Sequence, residues 1–383
     1  MQDFTRQAVL STLAIALMLF VALPTGFVLL ADPCQIFHKP LPGWFHHGFS
    51  DFTPCQNAGL LNNYLNDPVE GFDAVLTGTS LSGNLPIDHF SQHTPWQRTL
   101  KLTMPGVSPA VQQLFTEKAL SSNRIHHVFW EVFPHKFIVL RDYHEGDDKN
   151  DFVDFPDYLY NNSRLDDYRY VFNDTTFGGA LDVLRGESYL NLPSISRINY
   201  WEQQCKTAAT CTPFNDSAAI VKLRDSYTAP HHQLLGAAEA RNINYRAVDR
   251  YVLDTVLPFC NSNKSVDLFI PPVSLRWRAS LEAADFNFQL YLIRHLVEKT
   301  VHCRNVRVFA FDTEPWITGD LAHYHDNFHV FGDVQDYMLR SFGGGKHVLT
   351  STNIEAFEKT VVEQANHYVP WASTAADIRN SRH

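Results

Sequence analysis

The chain alternates short apolar runs with longer amphipathic stretches, and this alternation restricts what it can fold into. The runs are Ala74–Leu76, Leu100–Met104, His127–Val132, Val266–Ile270 and Val306–Phe311. Such an alternation is the signature of a parallel sheet covered by helices. Between the second and third runs lies SPAVQQLFTEKAL, in which Ser108 is a good helix N-cap and Pro109 suits the first helical position. Val111, Leu114, Phe115 and Ala119 then share one apolar face. Long helical patterns over 231–258 and 275–299 precede the fourth and fifth runs. With 383 residues, 45% of them hydrophobic, the chain can bury a sizeable core. The expected architecture is a three-layer α/β/α domain with a mainly parallel five-stranded sheet, spanning 71–370.

Two segments depart from that rhythm. Residues 140–225 are acidic and aromatic, and read as a large insertion between the third strand and the next helix, a surface excursion or a substrate-facing lid. At the other end, Ala8 to Ala31 carries no charge and is long enough for roughly 30 Å of hydrocarbon. The exit from this stretch, Val28-Leu29-Leu30-Ala31-Asp32-Pro33, places Leu where a cleaved signal peptide needs a small residue. The expectation is an uncleaved transmembrane anchor over 1–31, with a signal peptide as the alternative, followed by an irregular juxtamembrane segment over 32–70. Arg6 is the sole basic residue before the span, so the positive-inside bias is weak.

Net charge is −10, from 41 acidic and 31 basic residues, and no basic stripe stands out, which argues against nucleic acid as partner. All six cysteines follow the apolar segment, an even number that suits disulfides in an exported domain. Cys205 and Cys211 enclose a short polar loop, and Cys34 and Cys55 flank a Pro/Gly/His-rich segment. Cys260 and Cys303 each sit a few residues before an apolar run. If those runs are neighbouring parallel strands, both thiols lie at one end of the sheet. Three bonds are therefore expected, Cys205–Cys211, Cys34–Cys55 and Cys260–Cys303; the alternative is six buried free thiols. The glycosylation sequons at Asn161, Asn173, Asn215 and Asn263 matter only where the source glycosylates secreted proteins.

The chemistry concentrates in two blocks. LTGTSLSGN (76–84) ends a core strand in a small polar corner that presents Ser80. The corner is either an ordinary turn or a nucleophile held at the carboxyl end of a parallel strand. AHYHDNFHVFGD (322–333) offers Asp326 and His329 at the spacing D-x-x-H, so one segment supplies a base and the group that orients it. This segment leaves the carboxyl end of the last apolar run, the edge at which sites assemble in open parallel sheets, and Ser80 leaves the first strand at the same edge. Gly106, in LTMPGVSP, follows the second run; its N–H and that of Ser80 are the candidate oxyanion donors, unless Gly106 is a turn glycine only. His323, His325, Asp326 and His329 also admit a metal reading, which would leave the serine corner unexplained. The expectation is that no metal and no cofactor is used. Arg276 and Arg278, just beyond the fourth run, are candidates for binding an anionic sugar carboxylate, with a surface salt bridge as the alternative fate of each.

Taken together, these blocks resemble the SGNH (GDSL-like) hydrolase superfamily, and within it the membrane-anchored branch related to the alginate O-acetylation proteins. The matches are DPCQIF after the anchor, LTGTSLSGN, LTMPG, LFIPPVS after the fourth run, and DNFH followed by LTSTNIEAF. The resemblance implies Ser80 as nucleophile, His329 as base, Asp326 as its partner and Gly106 in the oxyanion hole. It further implies a serine-dependent O-acyl (acetyl) transferase or esterase acting on a cell-envelope or secreted polysaccharide. A membrane-bound O-acyltransferase or acyl carrier would be its partner, and the domain would be periplasmic. Two departures stand out. Thr79 replaces the Asp usual before the nucleophile, and the third block, HHVFWEVFPH, has no Asn, leaving Glu131 near that position. These departures keep a second reading open, a non-catalytic carbohydrate-binding or scaffolding member of an envelope assembly.

Overall fold

The computed structural model describes residues 2–39, 53–141, 155–161, 163–185, 232–240 and 242–368. It divides the chain into two compact units, one of Met1–Glu70 with Val153–Ile198 and one of Gly71–Phe152 with Asn199–His383.

In the second unit the five apolar runs become five parallel strands: β1 (Ala74–Gly78), β2 (Thr99–Thr103), β3 (His127–Glu131), β4 (Ser265–Ile270) and β5 (Val306–Ala310). A sixth, β6 (Val348–Leu349), pairs antiparallel with β5. The sheet is therefore mixed and six-stranded, in the order β2-β1-β3-β4-β5-β6, rather than five-stranded. Two residues make too short a run to be read as a strand from sequence; β6 forms because its backbone lies along β5.

Side chains alternate across the sheet. Ala74, Leu76, Phe129, Phe269 and Phe309 face a core closed by Ile87 and Phe90 of one helix and Val334, Met338 and Phe342 of another. Trp130, one residue on from Phe129, points the opposite way and donates its indole N–H to Gln112 Oε1 (3.1 Å) on the Pro109–Ser121 helix. That helix begins as expected, with Ser108 capping Val111 N–H and Pro109 at its first position. Helices thus cover both faces, which is why every residue of β1, β2 and β3 is buried.

The order of strands positions the site. From β1 the chain steps to β2 on one side, then returns to β3 on the other. The crevice beyond the carboxyl ends of β1 and β3 is where an open α/β sheet reverses direction, and ligands bind at such points. Cys260 and Cys303 precede the adjacent parallel strands β4 and β5 and are bonded.

The first unit holds one continuous apolar helix, Arg6–Ala31. It stops at Asp32, which adopts a left-handed conformation (φ 37°). The Asp32 carboxylate accepts the N–H groups of Ile36, Phe37 and His38 and the hydroxyl of Tyr170 (2.8 Å). Tyr170 Oη in turn accepts from Cys34 N–H (3.0 Å), and Cys34 is bonded to Cys55. Residues 155–161 and 163–185, expected within the insertion, thus pack with the segment that follows the apolar helix, because Asp32 and Tyr170 satisfy each other's buried polar atoms. The Cys205–Cys211 bond and the sequon at Asn215 lie outside the described residues.

Candidate active site

The serine corner is built from below. β1 ends at Gly78, where an added Cβ would fall 2.1 Å from Ser82 Oγ and 2.7 Å from Glu131 Cβ. Only glycine leaves room for that turn. Thr79 is extended (φ −92°, ψ −163°), and its hydroxyl accepts Leu81 N–H (3.1 Å), capping the short Ser80–Gly83 helix.

Beneath the corner lies Glu131, the last residue of β3 and fully buried. Its carboxylate accepts Thr79 N–H (3.1 Å), the Thr79 hydroxyl (2.6 Å) and Ser82 N–H (2.9 Å). Burial raises its pKa, and these hydrogen bonds work in the opposite direction. The N–H groups of Thr79, Leu81 and Ser82 are thereby consumed on the inner side. Among the described residues, the N–H of Ser80 finds no acceptor. Lys101 of β2 is also fully buried and donates to Gly83 O (2.6 Å) at the end of the same short helix. Desolvation lowers its pKa to about 7, with Asp88 opposing the shift.

His329 arrives on a hairpin. Tyr324 and Val330 form an antiparallel bridge, flanked by bonds from His325 N to His329 O (2.8 Å) and from Phe331 N to His323 O (2.9 Å). At the tip, Asp326 Oδ1 accepts the N–H groups of Phe328 and His329, each at 2.8 Å. Ser274, after β4, donates its N–H to Asn327 O (3.0 Å) and pins the tip from the side.

The result is a continuous chain of hydrogen bonds. Ser80 Oγ lies 2.8 Å from His329 Nε2, and His329 Nδ1 lies 2.7 Å from Asp326 Oδ2. Burial alone would raise the Asp326 carboxyl, but the ring of His329 and the two backbone N–H groups outweigh it and pull its pKa down to about 2. Being ionised, Asp326 can only accept. In the neutral imidazole the proton therefore sits on Nδ1, and the lone pair of Nε2 faces the serine hydroxyl. This is the tautomer a general base needs.

Gly106 adopts φ +65°, a conformation that costs glycine nothing and other residues strain. Its carbonyl accepts from Lys136 Nζ (3.0 Å), while among the described residues its N–H finds no acceptor. The loop that carries it is tied to the serine strand by Met104 N to Gly78 O (3.1 Å). Leu81, Phe133 and Val273, with Trp277 and Phe328, form an apolar cluster whose Leu81 and Phe328 adjoin Ser80 and His329 in sequence.

Of the two arginines considered for anion binding, Arg278 is excluded. It is buried and paired with Asp312 (2.8 Å), whose same oxygen accepts Val273 N–H (3.4 Å), so its charge ties the loop after β4 to the end of β5. Arg276 is half-buried on the same helix. The four residues of the metal reading do not converge. His323 turns to Asp333 (2.7 Å), which raises its pKa, and His325 is exposed, while Asp326 and His329 bind each other.

Sequence reasoning did not assign a task to Glu131, Lys101 or Asp312. The available signal was a charged residue in or just after an apolar strand, since a buried charge demands partners. No protein-family model matches the chain, and no curated protein matches it in sequence.

Proposed function

We propose that this protein is a serine-dependent acyl-ester enzyme, an O-acyl (acetyl) transferase or esterase of a cell-envelope or secreted polysaccharide. The observation that carries the reading is the unbroken Ser80–His329–Asp326 chain at 2.8 and 2.7 Å. In the reaction, Ser80 Oγ attacks the ester carbonyl carbon as its proton passes to His329 Nε2. Asp326 stabilises the imidazolium that forms. The carbonyl oxygen, now an oxyanion, takes hydrogen bonds from the N–H groups of Ser80 and Gly106. The intermediate expels the alcohol, which receives the proton from His329, and leaves an acyl-serine. Water then releases the acid in an esterase, or a sugar hydroxyl takes the acyl group in a transferase. His329 removes the proton of the attacking group and returns it to Ser80.

The polysaccharide and a membrane-bound acyl donor follow from the resemblance to the SGNH superfamily and its alginate O-acetylation branch. An extracytoplasmic, periplasmic placement is supported by the apolar helix followed by two disulfides. A second reading, a non-catalytic glycan-binding or scaffolding protein, is favoured by Glu131, which accepts hydrogen bonds below the serine and gives an oxyanion no side-chain donor.

An active-site serine probe such as a fluorophosphonate, read by peptide mass spectrometry, separates the two. The enzyme reading expects the label on Ser80, and its loss together with acetyl-ester turnover in folded Ser80→Ala and His329→Ala proteins. An unlabelled wild-type protein that still binds glycan supports the scaffold.

A further inference from the structure

We propose that the first unit docks on the membrane surface, with its Asp174–Arg185 helix and the segment before it lying in the interfacial layer of a lipid bilayer. The inference rests on reading Arg6–Ala31 as a retained membrane span, and three observations carry it.

The span is longer than a bilayer requires. Its 26 residues reach about 39 Å at helical rise, against about 30 Å of hydrocarbon. Over the first two-thirds its side chains are bare, with Leu13 61% and Phe20 81% exposed. The surplus of about two turns at the carboxyl end is covered by protein on one face, where Val28 and Ala31 are buried and the Phe27 ring meets Phe177 at 5.7 Å, while Leu29 and Leu30 stay exposed on the other. Cleavage after this helix would strip those residues from the core of the unit, so the packing favours retention. It also places the bilayer surface level with the Asp174–Arg185 helix.

That helix has three sectors. Thr176, Gly179, Ala180 and Val183 are buried. Phe177, Leu181 and Leu184, at i, i+4 and i+7, form an apolar flank beside them, with Phe177 and Leu184 exposed. Asp174, Thr175, Asp182 and Arg185 occupy the remaining side. A helix with an open apolar flank and a polar back lies along an interface.

The segment before it, which includes the short Tyr168–Val171 helix, adds exposed apolar side chains. Leu165 is 89% and Phe172 62% exposed, with Tyr168 exposed between them. In water this is an apolar patch without a partner; at a headgroup layer it is an aromatic belt. Arg164, Arg169 and Arg185 stand against Asp166, Asp167, Asp174 and Asp182. The attraction is therefore apolar, and it needs no anionic lipid.

The test uses the full chain in phosphatidylcholine vesicles, with an environment-sensitive fluorophore on Leu165→Cys, Phe172→Cys, Asp182→Cys or Leu13→Cys, corrected for labelling of the wild-type chain. The Leu165 and Phe172 sites are expected to shift to the blue and lose emission to a nitroxide placed near the lipid headgroup, unchanged by salt. The Asp182 site stays water-like, and the Leu13 site is quenched by a nitroxide deep in the chains. If Leu13 is quenched but Leu165 and Phe172 emit as in water, docking is overturned while the span stands. If Leu13 is not quenched, the span itself fails and docking with it. A blue shift without lipid quenching assigns the patch to a protein and overturns the lipid reading.

Discussion

Removing the Glu131 side chain should loosen the serine corner before it touches the Ser80–His329–Asp326 hydrogen-bond chain. Glu131→Ala strands the Thr79 N–H and Ser82 N–H at a fully buried position and frees the Thr79 hydroxyl to turn elsewhere. Two buried donors without acceptors cost about 1–3 kcal/mol each. Relief from burying a carboxylate offsets part of this, which leaves a net loss of about 3 kcal/mol. Glu131→Gln behaves differently. Its amide oxygen can keep both N–H bonds, which share Oε2 in the wild type, and its amide nitrogen can donate to Thr79 Oγ1. The expected cost is about 1 kcal/mol, the difference between a charged and a neutral acceptor. Urea unfolding followed by tryptophan fluorescence measures both, with Trp130 adjacent as reporter. A second readout is the rate at which a fluorophosphonate labels Ser80 in the folded variants. Because Glu131 and Thr79 absorb the inward N–H groups and leave that of Ser80 unspent, labelling should fall at least about ten-fold in Glu131→Ala, short of the roughly hundred-fold or greater loss of an oxyanion donor removed outright, and only a few-fold in Glu131→Gln. Equal stability and equal labelling in wild type and Glu131→Ala would falsify the positioning role.

Further outcomes are expected. The ionised Asp326 contributes stability that is fully present above pH 3.8 and lost as pH falls through about 2. Its side chain is 38% exposed, so solvent screening reduces the contribution to about 1 kcal/mol, and the unfolding curves of wild type and Asp326→Asn should converge at the acid end of that window. Lys101 has the opposite placement on the pH scale. Its folded pKa lies near 7, below the unfolded 10.5, so the unfolded chain holds the extra proton between them and stability rises with pH. Lys101→Met should flatten that rise from pH 7 to 9.5 in thermal melts; an unchanged slope would remove Lys101 as its source. Arg278→Ala leaves Asp312 buried and unpaired and should cost about 3–5 kcal/mol by chemical denaturation, whereas Arg276→Ala should be far milder. Breaking Cys260–Cys303, which closes a loop over a sequence separation of 43, should cost about 2–4 kcal/mol, read as a lower melting temperature on reduction or in the paired Ser variant.

The sequence by itself determined five of the six strands, their parallel direction and which residues meet at the serine corner. Short apolar runs spaced by helical patterns admit few arrangements, and a parallel sheet delivers every strand's carboxyl end to one edge. Ser80 and the Asp326–His329 segment could therefore be matched although they stand 249 positions apart, and Cys260 could be paired with Cys303. Those inferences rest on local patterns and on rules of topology. Tertiary structure decided whatever depended on long-range burial. Glu131 reads as an anomaly in an apolar strand until β3 lies beside β1 and three donors converge on it. Arg278 reads as a surface cation until Asp312 takes it inside. β6 is two residues long and exists through its neighbour, and the 155–185 segment belongs with the N-terminal region because Tyr170 meets Asp32. A residue's neighbours in sequence set its conformational preference, while the fate of a buried charge is set by partners that folding alone brings within hydrogen-bond reach.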